Sequence, residues 1–308
     1  MSNRGEMYSK SPSVKITSSH LQVKKKEGRK ISALTAYDYP TAMLEEKAGI
    51  DIVLVGDSVG TNVLGYRSEH EVTVDDILHH TKAVRRGLKT SFLLADLPFM
   101  SYQPSVELAL INAGRLIKEG GADGVKLEGG VRILPQIKAL VSAGIPTMGH
   151  LGFTPQSKTS DYYVFSERRG TVPKYQGKGP RGAKEILDEA LTLEDAGIFG
   201  VVIEQVTEEV AQAISERLTI PVIGIGSGRF CDGQILVVND LLGMNEDVPL
   251  ASKTYASMHK KVRDIFLAYR REVEEAQFPA CDNAVHMEPG KLEKFRKLLS
   301  DTQEGQKQ

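Results

Sequence analysis

Short runs of apolar and β-branched residues alternate with amphipathic stretches along most of this chain, and that rhythm limits the fold more than any other feature. The runs are Ile31–Tyr37, Ile52–Val59, Phe92–Pro98, Gly124–Glu128, Pro146–Leu151, Gly200–Val206 and Pro221–Gly226. Continuous apolarity over so few residues suits strands covered on both faces, as in a parallel sheet. The stretches between them read as helices. Tyr39–Ala48 follows Asp38, a capping residue type, and Val74–Arg86 follows Thr73, with Asp76 placed as in a variant capping box. Ser105–Glu119, Arg132–Ser142, Ala183–Ala196, Glu208–Leu218 and Gly233–Leu242 repeat the scheme, with glycines such as Gly49, Gly144 and Gly243 at their ends. Strand–helix units in series imply right-handed crossovers and a parallel sheet.

An eighth strand is expected at Pro249–Thr254, before a helix at Tyr255–Ala276. With it the sheet closes into a (β/α)8 TIM barrel; without it an open doubly wound sheet results. A helix near Ser18–Glu27 is placed to plug the barrel bottom. The 308 residues then divide into a disordered arm (1–12), one barrel domain (13–280) and a helical or partly disordered C-terminal extension (281–308). Barrels of about 250 residues are ordinary single domains. The segment Thr154–Pro180 breaks the rhythm: it is long, polar and rich in Gly, Tyr and basic residues. In a compact fold such a segment is a lid, a binding loop or disordered.

Lys+Arg (39) and Asp+Glu (40) nearly cancel, which argues against nucleic acid or a membrane surface as partner. No apolar run approaches the ~20 residues of a membrane span, and the polar start Met1–Pro12 lacks a signal-peptide core. Two cysteines, Cys231 and Cys281, are too few for a disulfide framework or zinc cage and fit a reducing compartment. Cys231 has no evident base and is not expected to be a nucleophile.

In α/β barrels the active site lies at the C-terminal strand ends. That rule selects Asp57-Ser58, Asp96, Glu128, His150 and Glu204, which follow successive apolar runs. Each acid alone has a plainer reading as a helix cap or the partner of a barrel lysine. Three acids together repel one another and raise each other's pKa unless a cation neutralises them. Lys126 offsets one charge. A hard divalent cation held by carboxylates, waters and substrate offsets the rest, and oxygen-only donors favour Mg²⁺. Lys126 alternates with Glu128, so both can point inward; the lysine either bridges these acids or binds a substrate carboxylate. Its acidic surroundings work against a Schiff-base role. Glu204, alone in an apolar strand, is expected to have its pKa raised by burial toward a general base's range, or else to pair with Arg or Lys. His150 either polarises an oxygen or satisfies a loop backbone, and His79-His80 read as structural. Gly224–Gly228 is not a dinucleotide fingerprint, because Arg229 holds the third glycine position; close approach of a ligand to backbone amides is expected there.

The segments Thr35-Ala-Tyr-Asp-Tyr, Leu54-Val-Gly-Asp-Ser-Val-Gly, His80-Thr-Lys-Ala-Val-Arg-Arg-Gly, Leu94-Ala-Asp-Leu-Pro-Phe-Met, Lys126-Leu-Glu-Gly-Gly, Gly149-His-Leu-Gly-Phe-Thr-Pro-Gln-Ser and Ile223-Gly-Ile-Gly-Ser-Gly occur in that order. Over about Ile16 to Pro279 the chain resembles the 3-methyl-2-oxobutanoate hydroxymethyltransferase (ketopantoate hydroxymethyltransferase) family of pantothenate biosynthesis. The resemblance implies a phosphoenolpyruvate/pyruvate-type barrel. It also implies transfer of a hydroxymethyl group from 5,10-methylenetetrahydrofolate to 3-methyl-2-oxobutanoate, giving 2-dehydropantoate through a Mg²⁺-stabilised enolate. It puts Asp57, Asp96 and Glu128 at the metal, and Asp57, Ser58, Asp96, Lys126 and His150 at the substrate. Glu204 becomes the proton acceptor. The family pattern further implies a cytoplasmic homodecamer, a pentamer of dimers. The chain departs from that pattern in a longer stretch between Ser157 and Gly177, in Asn239 where His is usual, and in Gly226-Ser-Gly-Arg where Gly-Ala-Gly is usual.

Two rivals remain at this level. A lyase of the isocitrate-lyase or phosphoenolpyruvate-mutase type shares the Gly-Asp-Ser segment but carries a cysteine in its catalytic loop, and Thr154–Pro180 has none. A non-enzymatic barrel would leave the acids costly and without purpose.

Overall fold

All seven apolar runs form strands: β1 (Ile31–Thr35), β2 (Ile52–Val55), β3 (Phe92–Asp96), β4 (Gly124–Glu128), β5 (Thr147–Gly152), β8 (Gly200–Glu204) and β9 (Val222–Ile225). Between β5 and β8 lies an antiparallel hairpin of β6 (Tyr163–Ser166) and β7 (Gly170–Pro173). The eighth barrel strand is β10 (Gly233–Leu236), and the parallel barrel closes in the order β1-β10-β9-β8-β5-β4-β3-β2. The structure is a computed structural model that describes residues 14–157, 163–166, 170–246 and 252–304. The arm expected at 1–12 and residues 247–251 lie outside these.

The position of the eighth strand corrects the expectation of Pro249–Thr254. Gly233–Leu242 is not one helix but β10 followed by the short helix α8 (Val238–Leu242). Its apolar residues suit helical spacing, yet buried and exposed positions alternate along β10. Pairing with β1 decides the matter: a Cβ on Gly233 would lie 2.4 Å from the Ile31 carbonyl oxygen, so only glycine allows the two strands to close.

The helices follow the sequence more closely. They are α1 (Ser18–Lys26), α2 (Tyr39–Ala48), α3 (Val74–Gly87), α4 (Val106–Lys118), α5 (Leu134–Ser142), α6 (Pro180–Asp195) and α7 (Glu208–Arg217). Asp38 Oδ1 accepts from the Thr41 N–H at 2.8 Å, and Thr73 and Asp76 exchange the two bonds of a capping box. The segment Thr154–Pro180 is not structureless, since it carries the β6–β7 hairpin.

Strand alternation creates two cores. Val53, Leu93, Val125 and Val201 face the helices. Ile31, Ile52, Phe92, Leu94, Met148, Val202 and Ile223 fill the barrel, and fully buried Leu21 of α1 joins them as the expected plug. The bottom is locked by a repeated device. Asp51, Asp123 and Asp232 stand just before β2, β4 and β10, and accept the N–H of Ser32, Leu93 and Val222 on neighbouring strands. A lysine from the N-terminal segment pairs with each: Lys24 with Asp51, Lys15 with Asp123 and Lys25 with Asp232.

The chain forms two units, Met1–Ala256 and Ser257–Gln308. The second holds α9 (Met258–Glu274), a 3₁₀ turn at Cys281–Asn283 and α10 (Pro289–Glu304). No helix of the described residues is long and apolar enough to cross a membrane.

Glu45 on α2 is 5 % exposed, and among the described residues neither of its carboxyl oxygens has a hydrogen-bond partner. Burial, then Asp38, pushes its pKa up to about 8. The folded state therefore holds this proton more tightly than the unfolded state, so its contribution to stability is present below about pH 4.5 and is lost as pH rises through about 8. Glu45→Gln should stabilise the protein by on the order of a few kcal/mol near pH 9 and change little near pH 4. Thermal unfolding at both pH values checks this; parallel stability curves for the two proteins would contradict it.

Candidate active site

The strand alternation that fills the barrel also aims the rim. Phe92 and Leu94 point inward, and so does Asp96; the same parity holds for Met148 and His150, and for Val202 and Glu204. Lys126 and Glu128 follow suit on β4. Asp57 lies just past β2, where its N–H donates to Asp96 Oδ2 at 3.1 Å. The structure thus brings Asp57, Asp96, Lys126, Glu128, His150 and Glu204 together at the C-terminal rim.

The contacts form a chain. Lys126 Nζ lies 2.8 Å from Asp96 Oδ1 and 3.9 Å from Glu128 Oε1. His150 Nδ1 lies 3.2 Å from Glu128 Oε1, and its Nε2 lies 3.2 Å from Glu204 Oε2. The Lys126–Asp96 and His150–Glu204 contacts are ion pairs without hydrogen-bond alignment. Ser58 sits beside the cluster, its Oγ 2.9 Å from the Tyr37 hydroxyl.

The electrostatics follow from burial. Asp57 is pushed well above the usual carboxylate range by burial, then by Asp96 and Glu128. Burial also raises Asp96, although Lys126 opposes it. Burial works against charge on Lys126, but Asp96, Glu128 and Asp57 outweigh it and hold the ammonium charged. For His150, burial and Lys126 oppose the charge, and the contacts with Glu128 and Glu204 overcome them, so its pKa is pushed up to about 9. His150 is therefore an imidazolium between two carboxylates.

One expectation changes. Glu204 is not isolated among apolar groups: its side chain keeps 18 % exposure and turns to His150. At the glycine-rich loop after β9, the amide that follows Gly228 is already engaged. The Glu208 carboxylate takes the Arg229 N–H at 3.0 Å, and a Cβ on Gly228 would meet it at 2.5 Å. Cys231 is buried, which pushes its thiol up to about 11 and leaves it unsuited to nucleophilic attack. His80 Nδ1 lies 2.6 Å from the Tyr37 carbonyl oxygen, a structural role. Asn239, a departure from the family pattern, donates from Nδ2 to the Asn62 carbonyl at 3.3 Å.

Among the described residues no group of three or more His, Cys, Asp and Glu side chains is placed to hold a metal ion. Glu128 is committed on both oxygens, with Oε1 beside His150 and Oε2 accepting the Gln156 N–H at 3.0 Å. Asp96 is engaged too, with Oδ1 at Lys126 and Oδ2 at the Asp57 N–H, so the aspartates offer Asp57 Oδ1 and second lone pairs, an incomplete shell of the kind Mg²⁺ fills with waters and substrate. Two cationic groups, Lys126 and His150, face four acids, Asp57, Asp96, Glu128 and Glu204. Burial raises both Asp57 and Asp96, and a hard divalent cation such as Mg²⁺ fits beside that pair by offsetting their charge.

Sequence reasoning missed Gln156 and Tyr102. The Tyr102 hydroxyl lies 2.8 Å from the Glu128 carbonyl oxygen and 2.7 Å from Gln156 Oε1. Neither residue stands at a strand end, so the rule that found the acids passes over them.

An eight-stranded parallel barrel with buried acids, an ammonium and an imidazolium at its C-terminal rim has the architecture of an α/β-barrel enzyme. Residues 15–281 match the family model described as ketopantoate hydroxymethyltransferase, and the chain belongs to that family. It is 48% identical over 277 residues to the 3-methyl-2-oxobutanoate hydroxymethyltransferase of Thermoanaerobacter pseudethanolicus, covering 89% of this chain and 97% of the relative. It is 47% identical over 288 residues to that of Acetivibrio thermocellus, covering 93% and 99%. Among solved structures, 2,3-dimethylmalate lyase, a PEP mutase/isocitrate lyase superfamily member, aligns with a TM-score of 0.53 at 14% identity. That alignment covers 96% of this chain and 99% of the lyase, and it carries the fold alone.

Gly152 ends β5 opposite Glu204 with φ +93, and a Cβ there would lie 2.2 Å from the Glu204 carbonyl oxygen. Gly152→Ala should push β8 and the Glu204 side chain out of place and lower kcat/KM about 100-fold. Steady-state kinetics with a parallel thermal melt check this; unchanged kcat/KM would contradict it.

Proposed function

We propose that this chain transfers a hydroxymethyl group from 5,10-methylenetetrahydrofolate to 3-methyl-2-oxobutanoate, giving 2-dehydropantoate with the help of Mg²⁺. The observation that carries the reading is the rim of three buried acids and the partly exposed Glu204 around Lys126 and His150, in a chain of this family. Asp57 and Asp96 would hold Mg²⁺, with Glu128 as third member of the acid set. Asp57, Ser58, Asp96, Lys126 and His150 would contact the 2-oxo acid.

When bound, Mg²⁺ supplies a Lewis acid beside the 2-oxo group and makes the C3 proton more acidic. Lys126, held by Asp96, presents fixed positive charge to the substrate carboxylate. Glu204 takes the C3 proton, and the His150 imidazolium 3.2 Å from its Oε2 orients it. Glu128 on the far side of the ring holds His150 in that pose. C3 then bonds to the methylene carbon while both of that carbon's bonds to the folate nitrogens break. Water supplies the new hydroxyl, and the proton from C3 and the remaining proton of water go to the two nitrogens of the departing tetrahydrofolate.

The reading includes a cytoplasmic homodecamer. Both cysteines are free, in keeping with a reducing compartment.

The purified protein should form 2-dehydropantoate from these two substrates and stop when EDTA is added. Glu204→Gln should lower kcat about 10²–10⁴-fold with little change in KM. Full turnover in EDTA, or by Asp96→Ala without divalent metal, would contradict the metal-assisted scheme.

A further inference from the structure

Gln156 is 3 % exposed, sits in the 3₁₀ turn Pro155–Ser157 after β5, and touches four parts of the rim. Its Nε2 donates to Asp57 Oδ2 at 2.9 Å and to the Leu97 carbonyl at 3.0 Å. Its Oε1 lies 2.7 Å from the Tyr102 hydroxyl and accepts from Gln103 Nε2 at 3.1 Å. Its backbone N–H donates to Glu128 Oε2, and its carbonyl oxygen lies 2.8 Å from His70 Nε2. The Leu97 carbonyl can only accept, so the amide nitrogen faces Leu97 and with it Asp57.

We propose that Gln156 is a positioning residue for the metal and 2-oxo acid site, fixing the Asp57 carboxylate through its amide. The inference rests on the functional reading that Asp57 holds Mg²⁺. A glutamine meets both demands here. Two amide hydrogens satisfy Asp57 and Leu97, and the oxygen is turned toward Tyr102 and Gln103. The amide occupies Asp57 Oδ2 and leaves Oδ1 without a protein partner among the described residues. A neutral donor stabilises the carboxylate without adding cationic charge that would compete with a divalent ion. The main-chain bonds to Glu128 and His70 persist whatever the side chain, so the turn itself does not depend on the amide.

Partners of this kind typically tune metal affinity or activity about 10–100-fold. The test uses the full chain with MgCl₂ and 3-methyl-2-oxobutanoate as probes. Isothermal titration and steady-state kinetics are compared for wild type, Gln156→Met, Gln156→Asn and Tyr102→Phe. Gln156→Met, close in shape but with no donor, should weaken Mg²⁺ binding about 10–100-fold. It should keep the KM for the folate donor, and recover kcat when Mg²⁺ is raised to saturation. Recovery by Mg²⁺ is what a merely structural lesion would not produce. Tyr102→Phe removes only the hydroxyl beside Oε1, should shift Mg²⁺ affinity in the same direction by a smaller factor, and serves if Gln156→Met does not fold. Mg²⁺ affinity unchanged in every folded variant would overturn the proposal. Wild-type protein that binds neither Mg²⁺ nor the 2-oxo acid would overturn the functional reading first, and this inference with it.

Discussion

Lys126 stands inside the barrel with its ammonium 2.8 Å from Asp96 and 3.9 Å from Glu128, and the charge balance around it governs the rest of the rim. A buried ammonium is costly to hold without acids beside it, and each added acid is costly without a cation. The barrel meets this with an alternating sequence of charges, Asp96, Lys126, Glu128, His150 and Glu204, drawn from neighbouring strands β3, β4, β5 and β8. Parallel strands at matched height make that sequence possible. Among the described residues Asp57, at its end, forms no ion pair, and burial with its acidic neighbours outweighs Lys126 and raises its pKa well above the usual range. The imbalance falls where the family reading puts the metal.

The lower half of the barrel provides the stiffness this arrangement needs. Leu21 closes the inner core, and three aspartates before β2, β4 and β10 tie neighbouring strands and N-terminal lysines together. None of these groups touches the rim. They hold the strand registers from which Asp96, Lys126, Glu128, His150 and Glu204 all project.

Much of the fold was legible because continuous apolar runs and capping residues are local signals. The seven strands and the Asp38 and Thr73 caps stand where the pattern put them. The eighth strand was not, because Gly233–Leu236 is short and runs almost directly into α8, so its apolar residues imitate one helix. Only the close approach to Ile31, a contact nearly the whole chain away, identifies it. The acids of the site were legible from position alone, through the strand-end rule. Their division of labour was not: Glu204 looked buried among apolar residues, whereas it faces His150 with part of its side chain exposed. Gln156 and Tyr102 were invisible because their importance lies in contacts across the rim rather than in their neighbours along the chain.

In the proposed reaction this rim removes the C3 proton of 3-methyl-2-oxobutanoate. The most direct test is deuterium uptake at C3, followed by proton NMR in D₂O with Mg²⁺ and no folate. The account predicts enzyme-dependent exchange that EDTA stops and that Glu204→Gln loses. An enzyme that turns over with the folate donor, yet shows no exchange above the solvent background, would contradict it.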